Sequence, residues 1–274
     1  MSRRLRMIVA LAAASALAAG AASCSRLNEA NARLGAITSD RARGLVRDCL
    51  WRHGSHYRWL ERKNVRCEVE RTEHLPEGDR TTREVWLLDT ASDCVRIEKP
   101  ARREVVVVGA SGWRVFAGGK ETKDLEARAE AEGDVRLVRE LLPMPFSLLR
   151  RGLRIDGFGS VTGPAEARTW DRLLVRYGQG SAASASDRMV VEIRRGTGRV
   201  EAVVIRWSEP PFFGRRFRVE MDDWRPEGDW LLAHRWRLFP VDEAGERTGP
   251  VRWTVRIRRV EVDVPVKWNT FAQP

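Results

Sequence analysis

Two tyrosines, four histidines, four cysteines and five lysines are few for a chain of 274 residues. Four cysteines do not make a disulfide scaffold. Beyond the N-terminus no apolar run approaches the roughly 20 residues a membrane-spanning helix needs, so a polytopic membrane protein is excluded. There is no nucleophile elbow, no phosphate-cradling loop and no metalloprotease helix, so no residue is put forward as catalytic and no cofactor is expected. His53-x-x-His56 could bring two imidazoles together but supplies no third ligand, so no metal site is assigned. What the chain does have is 43% hydrophobic and 32% charged residues, enough for a packed core and against global disorder. The excess of basic over acidic residues, 49 to 38, is carried almost entirely by arginine, and eleven tryptophans dominate the aromatics.

The N-terminus reads as an address. A basic stretch, Met1–Met7, precedes an apolar, Ala-rich run over 8–22, the pattern of a secretory signal over residues 1–23. Ala21-Ala22-Ser23-Cys24 resembles the bacterial lipobox, which implies that Cys24 is lipidated and anchors the chain to a membrane. Ala21 stands where that motif prefers Leu, and ordinary cleavage after Ala21 or Ala22 stays open. By the same resemblance, Ser25 in place of Asp implies the periplasmic face of the outer membrane. Residues 24–38 are small and polar and read as a tether. Export makes nucleic acid an unnatural partner for the basic charge. An anionic lipid or an acidic protein fits better, alongside the plainer reading that arginines solvate strand faces.

From Ser39 to Pro274 the pattern is that of one domain. Ala42, Leu45, Val46, Cys49 and Leu50 form a helical stripe with Ser39 as N-cap and Gly54 as stop. From Asn64 the period becomes two: Val65, Cys67 and Val69 face one way, Arg66, Glu68 and Glu70 the other. About five short strands follow at hairpin spacing, then a helical segment over 120–142 ended by Pro143 and Pro145, then about six more strands. The fold class is mainly β, with some α: a curved antiparallel half-barrel of about eleven strands, whose apolar concave face the helices must cover.

Several short signatures occur in order: His53-Gly54-Ser55, Gly112-Trp113, Leu141-Leu142-Pro143-Met144-Pro145-Phe146, Met221–Trp224 with Gly228, and Phe271-Ala272-Gln273-Pro274. Together they resemble the LolA/LolB-like superfamily, and within it the uncharacterised branch similar to outer-membrane lipoprotein-sorting proteins. The resemblance implies an unclosed half-barrel with a helical lid, a cavity for acyl chains, and no enzymatic activity.

On that reading the ligand is an acyl chain, lipid or lipoprotein handled in transport or sorting. The lid segment 134–149 would gate the cavity, and Leu141, Leu142, Met144, Phe146 and Leu149 are the candidate contacts. The other reading is a structural or interaction lipoprotein of the same fold with a filled core. Phe212-Phe213 could form a tip for a membrane or a partner, or a buried turn. Cys49 and Cys67 lie on a helix stripe and a sheet face that should meet, which makes them a candidate disulfide or a pair of buried thiols. His234 reads as a satisfied core histidine, and Asp222-Asp223 as a solvated turn.

Overall fold

The computed structural model of the chain describes residues 25–109, 112–150, 152–162, 169–178, 186–208, 212–267 and 270–272. The expected signal over 1–23 and the expected lipidation site Cys24 lie outside the described residues, as do Gln273 and Pro274. Three helices come first: α1 (residues 25–35), α2 (Asp40–Arg52) and α3 (His56–Glu61). Six strands follow: β1 (Asn64–Leu75), β2 (Gly78–Asp89), β3 (Val95–Lys99), β4 (Glu104–Gly109), β5 (Gly112–Ala117) and β6 (Lys120–Glu121). Then come α4 (Leu125–Leu141) and a 3-10 turn, Phe146–Leu149. The chain finishes with β7 (Leu153–Thr162), β8 (Thr169–Tyr177), β9 (Arg188–Arg194), β10 (Val200–Arg206), β11 (Arg216–Glu227), β12 (Trp230–Pro240) and β13 (Trp253–Val262).

All thirteen strands form one open antiparallel sheet, in the order β6-β5-β4-β3-β2-β1-β13-β12-β11-β10-β9-β8-β7. The two strands beyond the eleven expected are β6, only two residues long, and β7, where Gly157 and Gly159 break the apolar alternation. The topology explains the lid. The chain starts mid-sheet, runs to one edge at β6, and must reach the other edge at β7 before returning to pair β13 with β1. The connection carrying α4 therefore has to cross the concave face, where it packs on β2, β3, β4 and β5.

Local chemistry sets the helix ends. Ser39 caps α2 by accepting from Ala42 N–H, and Asp124 caps α4 by accepting from Glu126 N–H. The expected helix over 120–142 thus begins only after a two-residue strand. The expected tether is corrected in its described part. Residues 25–35 are helix and lie against the domain, with Arg26 donating to Thr90 O (3.0 Å), Arg33 donating to Leu149 O (2.5 Å) and Ala30 buried.

The short signatures are joints between distant segments. Gly54 sits at φ +105°, and a Cβ there would lie 2.1 Å from Asp229 O, so only glycine lets α2 close on the β11–β12 hairpin. His53 O accepts from Leu231 N–H (3.0 Å), and the His53 ring meets Trp224 edge-on at 4.7 Å. Phe146 stacks on Trp59 at 5.1 Å, and Trp59 meets Trp230 edge-on at 5.1 Å. At the C-terminus, Arg96 and Arg114 donate to Thr270 O and Ala272 O, holding Phe271 against Gly109.

Cys49 and Cys67 are both fully buried and both free thiols, so the bridge is not formed. Helix stripe and strand face do share one core, but the Cys49 sulfur turns along its own helix to lie 3.7 Å from His53 Nδ1. His234 is satisfied, contacting Ile257 O (3.0 Å) and Glu227 (2.8 Å). Asp222 and Asp223 are ion-paired to Arg235 and Arg225 at the surface.

His53 is fully buried, and desolvation pulls its pKa down to about 4, outweighing the bond to Cys49 O that favours the charged ring. The folded protein holds it neutral while the unfolded chain takes up a proton near pH 6.5. Stability is therefore complete above that value and falls as pH drops toward 4. From pH 7 to 5 this group alone removes about 2 kcal/mol. Urea midpoints for wild type and His53→Gln at the two pH values check this: the wild-type slope should be the steeper, and equal slopes contradict it.

Candidate functional site

Inward rows of the first three strands begin apolar and end charged. In β1 the row is Val65, Cys67, Val69, then Arg71. In β2 it is Leu88, Trp86, then Glu84, and in β3 Val95, Ile97, then Lys99. All are buried. The charges converge on Asp134 of α4. Its carboxylate pairs with Arg71 at 2.6 Å and Lys99 at 2.8 Å, while Lys99 also reaches Glu104 at 2.7 Å. Glu84 accepts from Trp86 Nε1–H at 2.7 Å, and the Arg71 guanidinium lies 4.2 Å from the Trp253 ring centre. Burial opposes ionisation of Asp134, but Arg71 and Lys99 overcome it and hold its carboxyl below the usual range. Burial raises that of Glu84.

Two further pairs tie the same segment down. Arg136 of α4 meets Asp187 at 2.7 Å and lies between the Tyr177 and Trp207 rings, 4.5 Å from each. Glu140 meets Arg150 at 2.9 Å, and Arg150 also reaches Asp93. Asp134, Arg136 and Glu140 are not among the residues the sequence singles out. The inward parity of Arg71, Glu84 and Lys99 was the available signal: three charges on core-facing rows require a charged partner in whatever covers them.

The five lid residues are core. Leu141, Leu142, Met144, Phe146 and Leu149 are all buried, and Leu142 and Met144 are 1% exposed. From Ala131 onward α4 is buried nearly all round, so it is a core helix instead of a loose cover. A hollow of about 20 Å³ lies between α4 and the sheet, bordered by Arg71, Glu84, Trp86, Asp134, Trp236 and Trp253, room for about one water.

Open volume lies elsewhere. A cleft of about 500 Å³ runs between α1 and the segment 143–150, with Trp59, Leu88, Phe146 and Leu149 on its floor and Arg26, Arg33 and Arg150 among its lining. Arg33 and Arg150 also border a neighbouring hollow of about 440 Å³, which Ile37, Leu148, Leu153 and Ile155 line. Of the predicted contacts, only Phe146 and Leu149 reach the cleft; Leu141, Leu142 and Met144 do not. Phe212 and Phe213 divide: Phe212 is buried against Trp207 and Phe217, and Phe213 is 67% exposed. Among the described residues, no group of three His, Cys, Asp or Glu could hold a metal ion, and no helix is long and apolar enough to cross a membrane.

No family model matches the sequence, and no curated protein does. Among solved structures the chain is similar to a LolA superfamily protein from Nitrosomonas europaea, at 8% identity and TM-score 0.54, over 85% of this chain and 97% of that one. It is also similar to a DUF1329 family protein from Desulfovibrio piger, at 10% identity and TM-score 0.52, over 85% of this chain and 98% of that one. At such low identity the likeness establishes the fold, which is LolA-like.

Asp134→Asn removes the charge that Arg71 and Lys99 share, leaving buried Lys99 to Glu104 and buried Arg71 to the more distant Glu73 (3.7 Å) and Glu84 (3.8 Å). The expected cost is about 3–5 kcal/mol of folding stability. A loss of unfolding free energy below about 1 kcal/mol in urea titration would show that the cluster does not hold α4.

Proposed function

We propose that this protein binds an acyl chain or similar apolar ligand non-covalently at the bacterial cell envelope, for transport or sorting of a lipid or lipoprotein. The carrying observation is the cleft beside α1. Its volume lies within the roughly 300–1,000 Å³ of ligand sites. It also has an apolar floor, Trp59, Leu88, Phe146 and Leu149, which suits a hydrocarbon tail, while its three arginines are bonded within the protein, Arg33 to Glu29 and Arg150 to Asp93 of the same lining. The LolA-like fold supports the carrier reading. The signal over 1–23 supports the envelope, and acylation at Cys24 would place the outer membrane next to α1.

One observation favours a second reading, an interaction lipoprotein with a filled core: the hollow under α4 is only about 20 Å³. The two readings part at the cleft. Full chain, purified without detergent, is titrated with a fluorescent fatty acid. Ala91→Trp puts a bulky ring at the exposed rim of the cleft. It should weaken uptake at least about tenfold, roughly 1.4 kcal/mol, with the melting temperature unchanged. Leu142→Glu, inside the core, should instead lower the melting temperature. Wild type that takes up no probe at micromolar concentration overturns the carrier reading and leaves the filled-core one.

A further inference from the structure

On most of the convex face opposite charges interleave. Glu192 of β9 sits between Arg172 at 2.7 Å and Arg218 at 2.6 Å, and Glu220 pairs with Arg237 at 3.2 Å. One line across the same face departs from this pattern. Arg154 of β7 is directly opposite Arg176 of β8, Arg176 opposite Arg188 of β9, Arg188 opposite Arg206 of β10, and Arg206 opposite Arg216 of β11. Five arginines thus stand in register on five consecutive strands, a ridge of about 19 Å at the usual strand spacing. Strand parity puts them outward, since Ile155, Val175, Met189, Ile205 and Val219 of the same strands are core.

Like charges directly opposite one another destabilise a sheet, and local carboxylates do little to relieve this row. Asp156 serves both Arg154 (3.6 Å) and Arg176 (2.6 Å). Arg216 reaches Glu243, whose side chain is 95% exposed. Among the described residues, Arg188 and Arg206 make no ion pair, and Arg206 Nε–H donates to Gly214 O at 3.1 Å. Burial first, and then the neighbouring Arg216, Arg206 and Arg176, depress the Arg188 pKa.

A second feature adjoins the row. Between Arg206 and Arg216 the chain turns through Phe212, Phe213 and Gly214. Phe212 is locked edge-on against Trp207 (5.0 Å) and Phe217 (5.5 Å), which fixes the turn. Phe213, at φ +47°, is presented to solvent beside the exposed Arg215. An exposed Phe ring next to a line of cations matches a bilayer surface, where an apolar side chain enters the headgroup–acyl boundary and arginines meet phosphate.

We infer that the convex ridge Arg154–Arg176–Arg188–Arg206–Arg216, with Phe213 at its end, is a docking surface for an anionic phospholipid bilayer. The surface lies on the face of the sheet opposite α4. It does not depend on the cleft or on acylation of Cys24.

The test is vesicle co-sedimentation of the full chain, comparing phosphatidylcholine vesicles with vesicles containing about 30% phosphatidylglycerol. The readout is the phosphatidylglycerol-dependent increment, which is blind to any contribution an N-terminal anchor makes to both. Arg188→Glu/Arg206→Glu should reduce that increment at least about tenfold. High salt should abolish it in wild type, because exposed charges are screened within about 3 Å at 1 M. The melting temperature of the double variant should hold or rise, since the reversals turn the repulsions with Arg176 and Arg216 into attractions, while the two reversed positions still repel each other. Phe213→Ser should weaken binding while keeping the salt dependence. Arg47→Glu/Arg83→Glu carries the same change in net charge on two exposed arginines outside the row, and should bind as wild type does. Equal loss in both double variants overturns the proposal in favour of net charge alone. Absence of any phosphatidylglycerol-dependent increment also overturns it. Binding to polyglutamate in that case would assign the ridge to an acidic protein instead.

Discussion

Asp134 is a carboxylate in the middle of the fold, and it remains ionised there only because Arg71 and Lys99 are within 2.8 Å of it. Those cations are buried too; without Asp134, Arg71 would keep only the more distant Glu73 and Glu84, and Lys99 only Glu104. The cluster joins α4 to β1 and β3, next to the place where the chain must cross from one edge of the sheet to the other. Topology requires a covering segment, and the cluster fixes which turn of α4 lies over which strands. Arg136–Asp187 and Glu140–Arg150 repeat the arrangement further along the segment, toward β9 and the start of β7. Three polar fasteners over a bed of Val, Leu and Trp specify one seating, where apolar packing alone would tolerate several.

The sequence signatures serve this same architecture. His53-Gly54 fits the β11–β12 hairpin that contains Trp224, and Phe146 fits Trp59, which in turn fits Trp230. Phe271 closes on Gly109 in the hairpin that continues to Gly112-Trp113. Residues scattered over the whole chain are thus brought together in pairs where the first helices, the lid and the C-terminus meet the sheet. Such joints follow from the shape of the half-barrel, so they identify the fold without speaking to a ligand.

Legibility followed periodicity. Strands β1 to β5 and β8 to β13 announce themselves by alternation, and α2 by its stripe and serine cap. β7 was illegible because Gly157 and Gly159 supply no side chain to alternate, and β6 because two residues carry no period. α1 reads as a tether because Leu27, Ala30 and Leu34 make a thin stripe among polar residues; its seating comes from Arg26 and Arg33 reaching backbone carbonyls 64 and 116 residues away in sequence. The charged core was half legible: parity turned Arg71, Glu84 and Lys99 inward, but only the fold shows that Asp134 meets them. The eleven tryptophans could have lined a cavity or filled a core. Trp86, Trp207, Trp230 and Trp236 fill it, and Trp51 is 72% exposed.

That filling decides where a ligand can go. Lifting α4 from the sheet would return Val135, Val138, Leu141 and Leu142 to water, at about 1.5–3 kcal/mol each, or about 6–12 kcal/mol together. An acyl chain entering in their place gains about 0.8 kcal/mol per buried methylene, so a chain of some fourteen carbons recovers about 11 kcal/mol, near the top of that range, but restores none of the ion pairs of Asp134, Arg136 and Glu140. Ordering the ligand, which costs further free energy, tips the exchange against it. The cleft beside α1 asks for no such exchange. Its floor of Trp59, Leu88, Phe146 and Leu149 is already in place, and its arginines already stand along the wall. In this fold the concave face has become the core, and open volume lies at the seam where α1 lies against the end of the lid.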